Sequence, residues 1–297
     1  MQQLRLAKDK LASSGMLVLT ILSLFIVFGT GIGLYLRSVP LIQDKSIFTI
    51  LSSSVWKPFK GEFGFFPFIM GTFWVTIVAI IIAFPLCLLC AIYLSVYAHT
   101  RLKNLITPFI DLLSGIPPVV YGVWGVLVIV PLIQDHIAPH FVDYSSGYTV
   151  LAGGVVLAVM IFPLIISILM EVFAAIPPEL QDASLSLGAT QWQTVKFVLL
   201  RKALPGIIAA TVLAISRAFG ETIAVLMVCG NIAEIPHSIF DSAYPLPALI
   251  ANNYGEMLSL PLYESALMFA AFILFIIILF FNTIARIVLA RIERRYY

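Results

Sequence analysis

Six apolar stretches dominate this chain, and each is long enough to cross a lipid bilayer, which takes about 20 residues of helix. They run roughly over Met16–Leu36, Pro67–Tyr97, Pro108–Gln134, Tyr148–Phe173, Leu204–Asn231 and Ser265–Leu289. In lipid a backbone can satisfy its polar groups only within a helix or a closed barrel. Uninterrupted stretches of this length are helical, so the expected fold is all-α and integral to the membrane. Six transmembrane helices would form a single domain over residues 1–297. Composition agrees: 61% of residues are apolar and 11% charged, against roughly 45–50% and about 25% in soluble domains. Such a chain cannot cover itself with polar surface in water. A net charge of +2 gives no reason to expect nucleic acid as a partner.

The first stretch exceeds the roughly 7–15-residue core of a signal peptide, and no small-residue cleavage site follows it, so it reads as a retained anchor. Lys and Arg residues orient the rest. With the N-terminus cytoplasmic, Arg5, Lys8, Lys10, Arg101, Lys103, Lys196, Arg201, Lys202, Arg286, Arg291, Arg294 and Arg295 lie inside. Those are twelve of the 17. Arg37, Lys45, Lys57 and Lys60 lie outside, and Arg217 falls within a span. Outer segments 135–147 and 232–264 carry acids but no Lys or Arg. Both ends are expected in the cytoplasm, with the chain a multi-pass protein of the bacterial inner membrane.

Several smaller features sort by their surroundings. Pro85, Pro117 and Pro118 predict interruptions of the second and third spans. Cys87 and Cys90 have C-x-x-C spacing, but they sit in an apolar stretch with no His or second Cys pair, so they read as small membrane-helix residues. Gly29 and Gly33 form a G-x-x-x-G pair suited to helix packing. Segment 37–66 reads as a surface loop or short interfacial helix. Asp111 is either a helix-end cap partner near the cytoplasmic face or a polar pathway residue, and Glu171 is interfacial. The outer stretches Ala243–Pro247 and Asn252–Gly255 are candidate contacts for a substrate-delivering protein. His99, His136, His140 and His237 have no metal-ligand spacing, and no metal site is expected.

The loop over residues 174–203 is the most organised polar segment. Pro177 and Pro178 can open a helix, with Glu179 and Asp182 near its positive end. Leu180, Ala183, Leu185 and Leu187 give it a partly apolar face, Gly188 stops it, and Gln191–Leu200 can form a second short helix. The segment resembles the EAA loop of bacterial ABC-importer permeases, whose pattern is Glu-Ala-Ala, three residues, Gly, nine residues, Ile-x-Leu-Pro. Asp182, Ala183, Ser184, Gly188, Val198 and Leu200 occupy those places, with Asp for Glu at 182 and Arg201 for the final Pro. The resemblance implies a type I importer permease fold. It implies also that Glu179, Asp182, Ala183 and Gly188 couple the chain to a separate ATPase subunit. No G-x-x-x-x-G-K-[S/T] loop occurs here, so ATP and Mg are expected in that partner and no cofactor in this chain.

Arg217 lies near the middle of the fifth stretch and Glu221 follows four residues later, on the same helical face. A charge at mid-membrane costs about 2.5–3.5 kcal/mol on insertion scales, so that face should point inward. Either the two form a buried ion pair that pins packing, or Arg217 lines an anion pathway with Glu221 moderating its grip. The run Arg217–Thr222 followed by Gly230 and Asn231 is similar to the Arg-Ala-x-Gly-Glu-Thr…Gly-Asn signature of phosphate-importer permeases. Leu113–Gly125 and Phe63–Thr72 resemble the PstC-type subunit of that family, with Pro118 where Ser is usual. A helix broken at Gly115, Pro117 and Pro118 is tolerated at depth only against protein or water, and is expected to line and gate the pathway beside Arg217.

The resemblance implies phosphate import by a complex of this permease, a second similar permease, two ATPase subunits and a soluble phosphate-binding protein. Alternatives are the partner (PstA-type) permease, an importer of another oxyanion, and a proton-coupled carrier in which Glu221 titrates.

Overall fold

A computed structural model describes residues 2–255 and 261–296. Among these, six helices are long and apolar enough to cross a membrane: Ala12–Asp44, Phe66–Tyr97, Pro118–His140, Val150–Ala174, Gln191–Phe219 and Leu262–Val288. Six crossings bring the two ends of the chain to the same side.

Two spans differ from the sequence expectation at their boundaries. The third begins at Pro118, ten residues later than its hydropathy suggests. Pro108 instead lies inside a separate helix, Thr100–Ser114, which leads up to the break. The fifth runs from Gln191 to Phe219 and ends before Glu221; a short helix, Ile223–Val228, follows. Residues 191–200 form no separate helix, because a turn widened to five-residue spacing at Val195–Leu199 joins them to the fifth span. Pro85 causes no interruption: it sits inside the helix Phe66–Ile92. The second span widens further on, at Tyr93–Tyr97, where the Ala98 amide donates to the Tyr93 carbonyl at 2.8 Å.

The fourth span, Val150–Ala174, is the axis of the bundle. Leu157, Ile161, Ile165 and Leu169 are fully buried, and the helix packs along the second span. Lipid offers no hydrophobic reward for bringing helices together, so close packing has to supply the attraction. Glycines allow it. A Cβ on Gly153 would overlap Cys229 Sγ, and one on Gly154 would overlap Val78 Cγ1. The start of this helix is capped by its own threonine and by a distant loop. Val150 and Leu151 amides donate to the carbonyls of Asp241 and Ile239 at 2.9 and 2.8 Å. The Ala152 amide donates to Thr149 Oγ1 at 3.1 Å, and the Gly153 amide to the Thr149 carbonyl at 3.0 Å. Three donors that a helix start leaves free, those of Val150, Leu151 and Ala152, are thereby used, and the Gly153 bond is the first of the regular helix.

A second core closes the end of the bundle opposite the chain termini. There the link between the first two spans folds into a helix, Ile47–Ser52, and a hairpin pairing Trp56 with Phe63 and Lys57 with Glu62. The Trp56 ring packs edge-on against Phe63, Phe65, Phe68 and Tyr263. By contrast the first span is unburied across its apolar window and leans on the sixth. Gly29 and Gly33 meet nothing within this chain, where Gly31 is the glycine set against Phe275. Cys87 and Cys90 are free thiols, with Cys87 Sγ 3.7 Å from the Phe162 carbonyl oxygen.

Gly153→Leu would force the fourth span away from Cys229. Overpacking of this kind costs about 1–3 kcal/mol, so the expected outcome is a lowered Tm for the purified protein, whereas Gly33→Leu should leave it unchanged. Thermal unfolding in detergent checks both.

Candidate functional site

Two helix breaks meet on one side of the molecule. The first is Gly115–Pro117, between Thr100–Ser114 and Pro118–Trp124. Pro117 and Pro118 have no N–H, so the carbonyls of Leu113 and Ser114 lose their regular helical donors. The Tyr121 hydroxyl reaches back across the break and donates to the Leu113 carbonyl at 2.8 Å. Asp111 does not cap it: the carboxylate is exposed, and what the residue contributes is its carbonyl, which accepts from the Gly115 amide at 3.2 Å.

The second break is Gly220–Thr222, where the fifth span stops. Gly220 N–H bonds the Arg217 carbonyl at 3.2 Å and Glu221 N–H bonds the Ala218 carbonyl at 3.3 Å, closing the helix with tight turns. The Glu221 carboxylate accepts from the Ala224 amide at 3.3 Å, supplying a partner for a free donor of the next helix. Arg217 and Glu221 therefore do not share a helical face, and they form no ion pair. Among the described residues the ion pair is Arg37 with Glu264.

Glycines set the level of the two breaks. A Cβ on Gly122 would lie 3.2 Å from Ala224 Cα, and one on Gly125 would lie 2.8 Å from Val228 Cγ1. The helices Pro118–Trp124 and Ile223–Val228 thus run side by side in the same direction. One turn back along each leads to Pro118 and to Glu221, so the breaks stand at the same height.

Arg217 occupies the last turn of the fifth span, where the helix carbonyl ends favour a cation. It is exposed on the surface of the subunit and is not turned into the bundle. Its guanidinium has no ion pair or hydrogen bond among the described residues. Fifteen residues separate it from Lys202, about 22 Å of helix, so it remains within the depth of a hydrocarbon core roughly 30 Å thick. Leu213, Ile223, Val119, Val120 and Val123 are exposed with it. Gly115 and Pro117 are also exposed and Pro118 is half-buried.

At the other end of the fifth span stands the helix Pro178–Ser186, with Glu179, Asp182 and Ala183 exposed. Gly188 ends it at φ +83°, a conformation costly for any side chain, and Leu187 beside it is 90% exposed. Ser184 Oγ and Thr194 Oγ1 are 2.9 Å apart. Thr190 and Gln193 cap each other reciprocally at 2.8 and 3.2 Å. The Ser184–Thr194 link ties the exposed helix to the base of the fifth span, and the capping pair fixes where that span begins. A cleft of about 490 Å³ lies alongside, lined by Val172, Ile176, Glu179, Leu180 and Lys202.

Gly230 and Asn231, singled out in the sequence by resemblance alone, form a turn just beyond the short helix. Both take positive φ, 85° and 54°, and turn the chain back into the bundle without a helix. Asn231 Nδ2 donates to the Leu226 carbonyl at 2.7 Å, and the Leu246 amide donates to buried Thr72 Oγ1 at 2.9 Å. Asn following Gly was the available signal, since both tolerate left-handed backbone. This returning segment also corrects an expectation: Ala243–Pro247 is buried and cannot meet a soluble partner, although Asn252 and Tyr254 are exposed.

Comparison with known proteins adds to this geometry. Residues 83–296 match the family described as "binding-protein-dependent transport system inner membrane component". The chain is 35% identical over 276 residues to the probable phosphate transport system permease protein PstC of Methanocaldococcus jannaschii, covering 88% of this chain and 87% of that one. It is 42% identical over 218 residues to the probable ABC transporter permease protein YqgH of Bacillus subtilis, covering 73% and 69%. Among solved structures it resembles a bacterial ABC transporter involved in alginate import, with a TM-score of 0.64 at 15% identity over 96% of this chain and 99% of that one. It also resembles the MetNI methionine transporter, with a TM-score of 0.55 at 20% identity over 75% and 91%. At such identities the likeness is one of fold.

Tyr121→Phe removes the only hydroxyl that answers the Leu113 carbonyl while keeping the ring. Such a hydrogen bond is worth about 0.5–1.5 kcal/mol, and the expected result is a small fall in Tm together with faster amide exchange around residues 114–121, read by hydrogen–deuterium exchange mass spectrometry.

Proposed function

The chain belongs to the family of binding-protein-dependent transport system inner membrane components, and from that membership we propose that it is the transmembrane permease subunit of an ATP-driven phosphate importer. It is a multi-pass inner-membrane protein with the fold of ABC-importer permeases. Phosphate as cargo is supported by relatives named as phosphate permeases across most of their length, and by the chemistry of Arg217.

The observation that carries the reading is an exposed, unpaired guanidinium at membrane depth. Facing hydrocarbon it would cost several kcal/mol. That face therefore opens on water or on another protein chain, which is how half of a two-subunit pathway would look when seen alone. A guanidinium offers a planar fork matched to phosphate oxygens. Glu221 stands at the next break, engaged by one backbone amide and not by Arg217. It leaves the arginine free for an anion and places a negative charge nearby that shortens the anion's stay. The two breaks at one height give this part of the path irregular backbone, which membrane proteins place where it lines a cavity.

A second, similar permease would complete the pathway, and a soluble binding protein would deliver phosphate to the side opposite the chain ends. ATPase subunits would seat on Pro178–Ser186 and the adjoining cleft, binding ATP and Mg themselves.

In a reconstituted complex Arg217→Ala should lower phosphate uptake roughly tenfold or more, as expected for loss of charge-assisted bonds worth about 1.5–3 kcal/mol. Glu221→Gln keeps an oxygen for the Ala224 amide while removing the charge, and should slow turnover without lowering Tm. Uptake at wild-type rate in both variants would remove this pathway, and competition by sulfate or molybdate equal to that by phosphate would reassign the cargo. Separately, Gly188→Val forces a side chain into left-handed backbone at a cost of order 1–3 kcal/mol. Less ATPase subunit should then copurify with the permease while the membrane helices remain folded by circular dichroism.

A further inference from the structure

The connection between the first two spans ends in an exposed hairpin tip, Pro58–Lys60, closed by Gly61 at φ +71°. Its inner face is buried in the aromatic core, but Phe59 at the tip is 82% exposed, and Phe48 on the preceding short helix is 80% exposed. Lys57 and Lys60 flank Phe59 and are exposed as well. Lys45 is engaged elsewhere: its Nζ donates to the Gly61 carbonyl at 2.6 Å and braces the tip.

The height of the tip follows from its neighbours. No charged residue occurs between Lys10 and Arg37, so Arg37 marks the edge of the hydrocarbon, and it pairs there with Glu264 at 3.1 Å. A Cβ on Gly61 would stand 3.7 Å from Leu262 Cδ2, and the Trp56 and Tyr263 rings lie 6.0 Å apart. The hairpin is thus level with the residues just before Glu264, roughly 3 Å of helix further out. That falls within the headgroup layer, about 5–7 Å deep on each side of the core. The hairpin continues from the first span, whose apolar window is unburied. Charge separates it from the other loops on this side: every Lys and Arg there lies in the 37–60 connection, while 135–147 and 232–264 carry acids alone.

We propose that the hairpin tip docks into the bilayer surface, with Phe59 and Phe48 inserted among the upper acyl carbons and Lys57 and Lys60 on the phosphates of anionic lipids. An aromatic ring beside lysines at this depth is the side-chain pattern that membrane interfaces favour. The occupant is the host bilayer, and the inference stands apart from the transport role of Arg217.

The test places a nitroxide at Phe59→Cys, in a chain with Cys87, Cys90 and Cys229 replaced by Ala, within the assembled transporter in nanodiscs. Collision with oxygen exceeding collision with a nickel chelate is expected, as for a site below the phosphates. The opposite ratio would show the tip in water, and shielding from both would show it covered by another protein chain; either result overturns the proposal. In parallel, the Lys57→Gln/Lys60→Gln variant should lose its preference for phosphatidylglycerol over phosphatidylcholine by roughly fivefold per lysine, read as co-purified lipid. An unchanged preference would overturn the assignment of anionic headgroups.

Discussion

Every amide and carbonyl within the membrane spans has to find its partner without water, and that requirement shapes the molecule more than any other. Where the helices are regular the rule is met locally. Where proline or glycine interrupts them, a side chain or a distant backbone group takes over. Tyr121 Oη answers the Leu113 carbonyl, Thr72 Oγ1 receives the Leu246 amide, and the 239–241 loop caps the fourth span. These replacements hold irregular backbone at a depth where unpaired groups would each cost several kcal/mol.

Packing follows a different logic from that of a soluble protein. The fourth span is buried because glycines at 153 and 154 let its neighbours reach van der Waals contact, and dispersion between close surfaces has to outweigh what lipid would have offered. The first span makes no comparable approach and stays open to its surroundings. Aromatic rings carry the outer core, where Trp56 meets four others and the chain leaves the region in which helices alone can organise it.

Much of this was legible in the amino-acid order. Six spans, the exposed helix after Pro177 and Pro178, its stop at Gly188 and the break at residues 115–118 all follow from hydropathy, proline and glycine, which act locally. The failures share one cause. The chain is apolar on both sides of Gly220, so an averaged hydropathy carries the span across its stop before Glu221, and a continuous helix wrongly put Arg217 and Glu221 on one face. Pro108 reads as part of a span because its neighbours are apolar, although the chain breaks only where two prolines remove two successive donors. The G-x-x-x-G spacing of Gly29 and Gly33 could not reveal which glycine meets a neighbour within this chain. Asn252 and Tyr254 are exposed as expected, whereas Ala243–Pro247 is drawn inward by the turn at Gly230 and Asn231, a tertiary event with no periodic signature.

The helix that begins at the Thr190 cap and ends at Phe219, two residues past Arg217, has mechanical meaning. Beyond its one widened turn at Val195–Leu199 it runs as a single rod, with Pro205 absorbed into its length. The hydroxyl pair of Ser184 and Thr194 locks the exposed helix to its foot. A rod has no slack: tilt imposed at one end arrives at the other at once, multiplied by the lever arm. A displacement of the short helix by an outside body would therefore swing the guanidinium at the far tip, with only the widened turn at Val195–Leu199 between them to absorb part of the stroke.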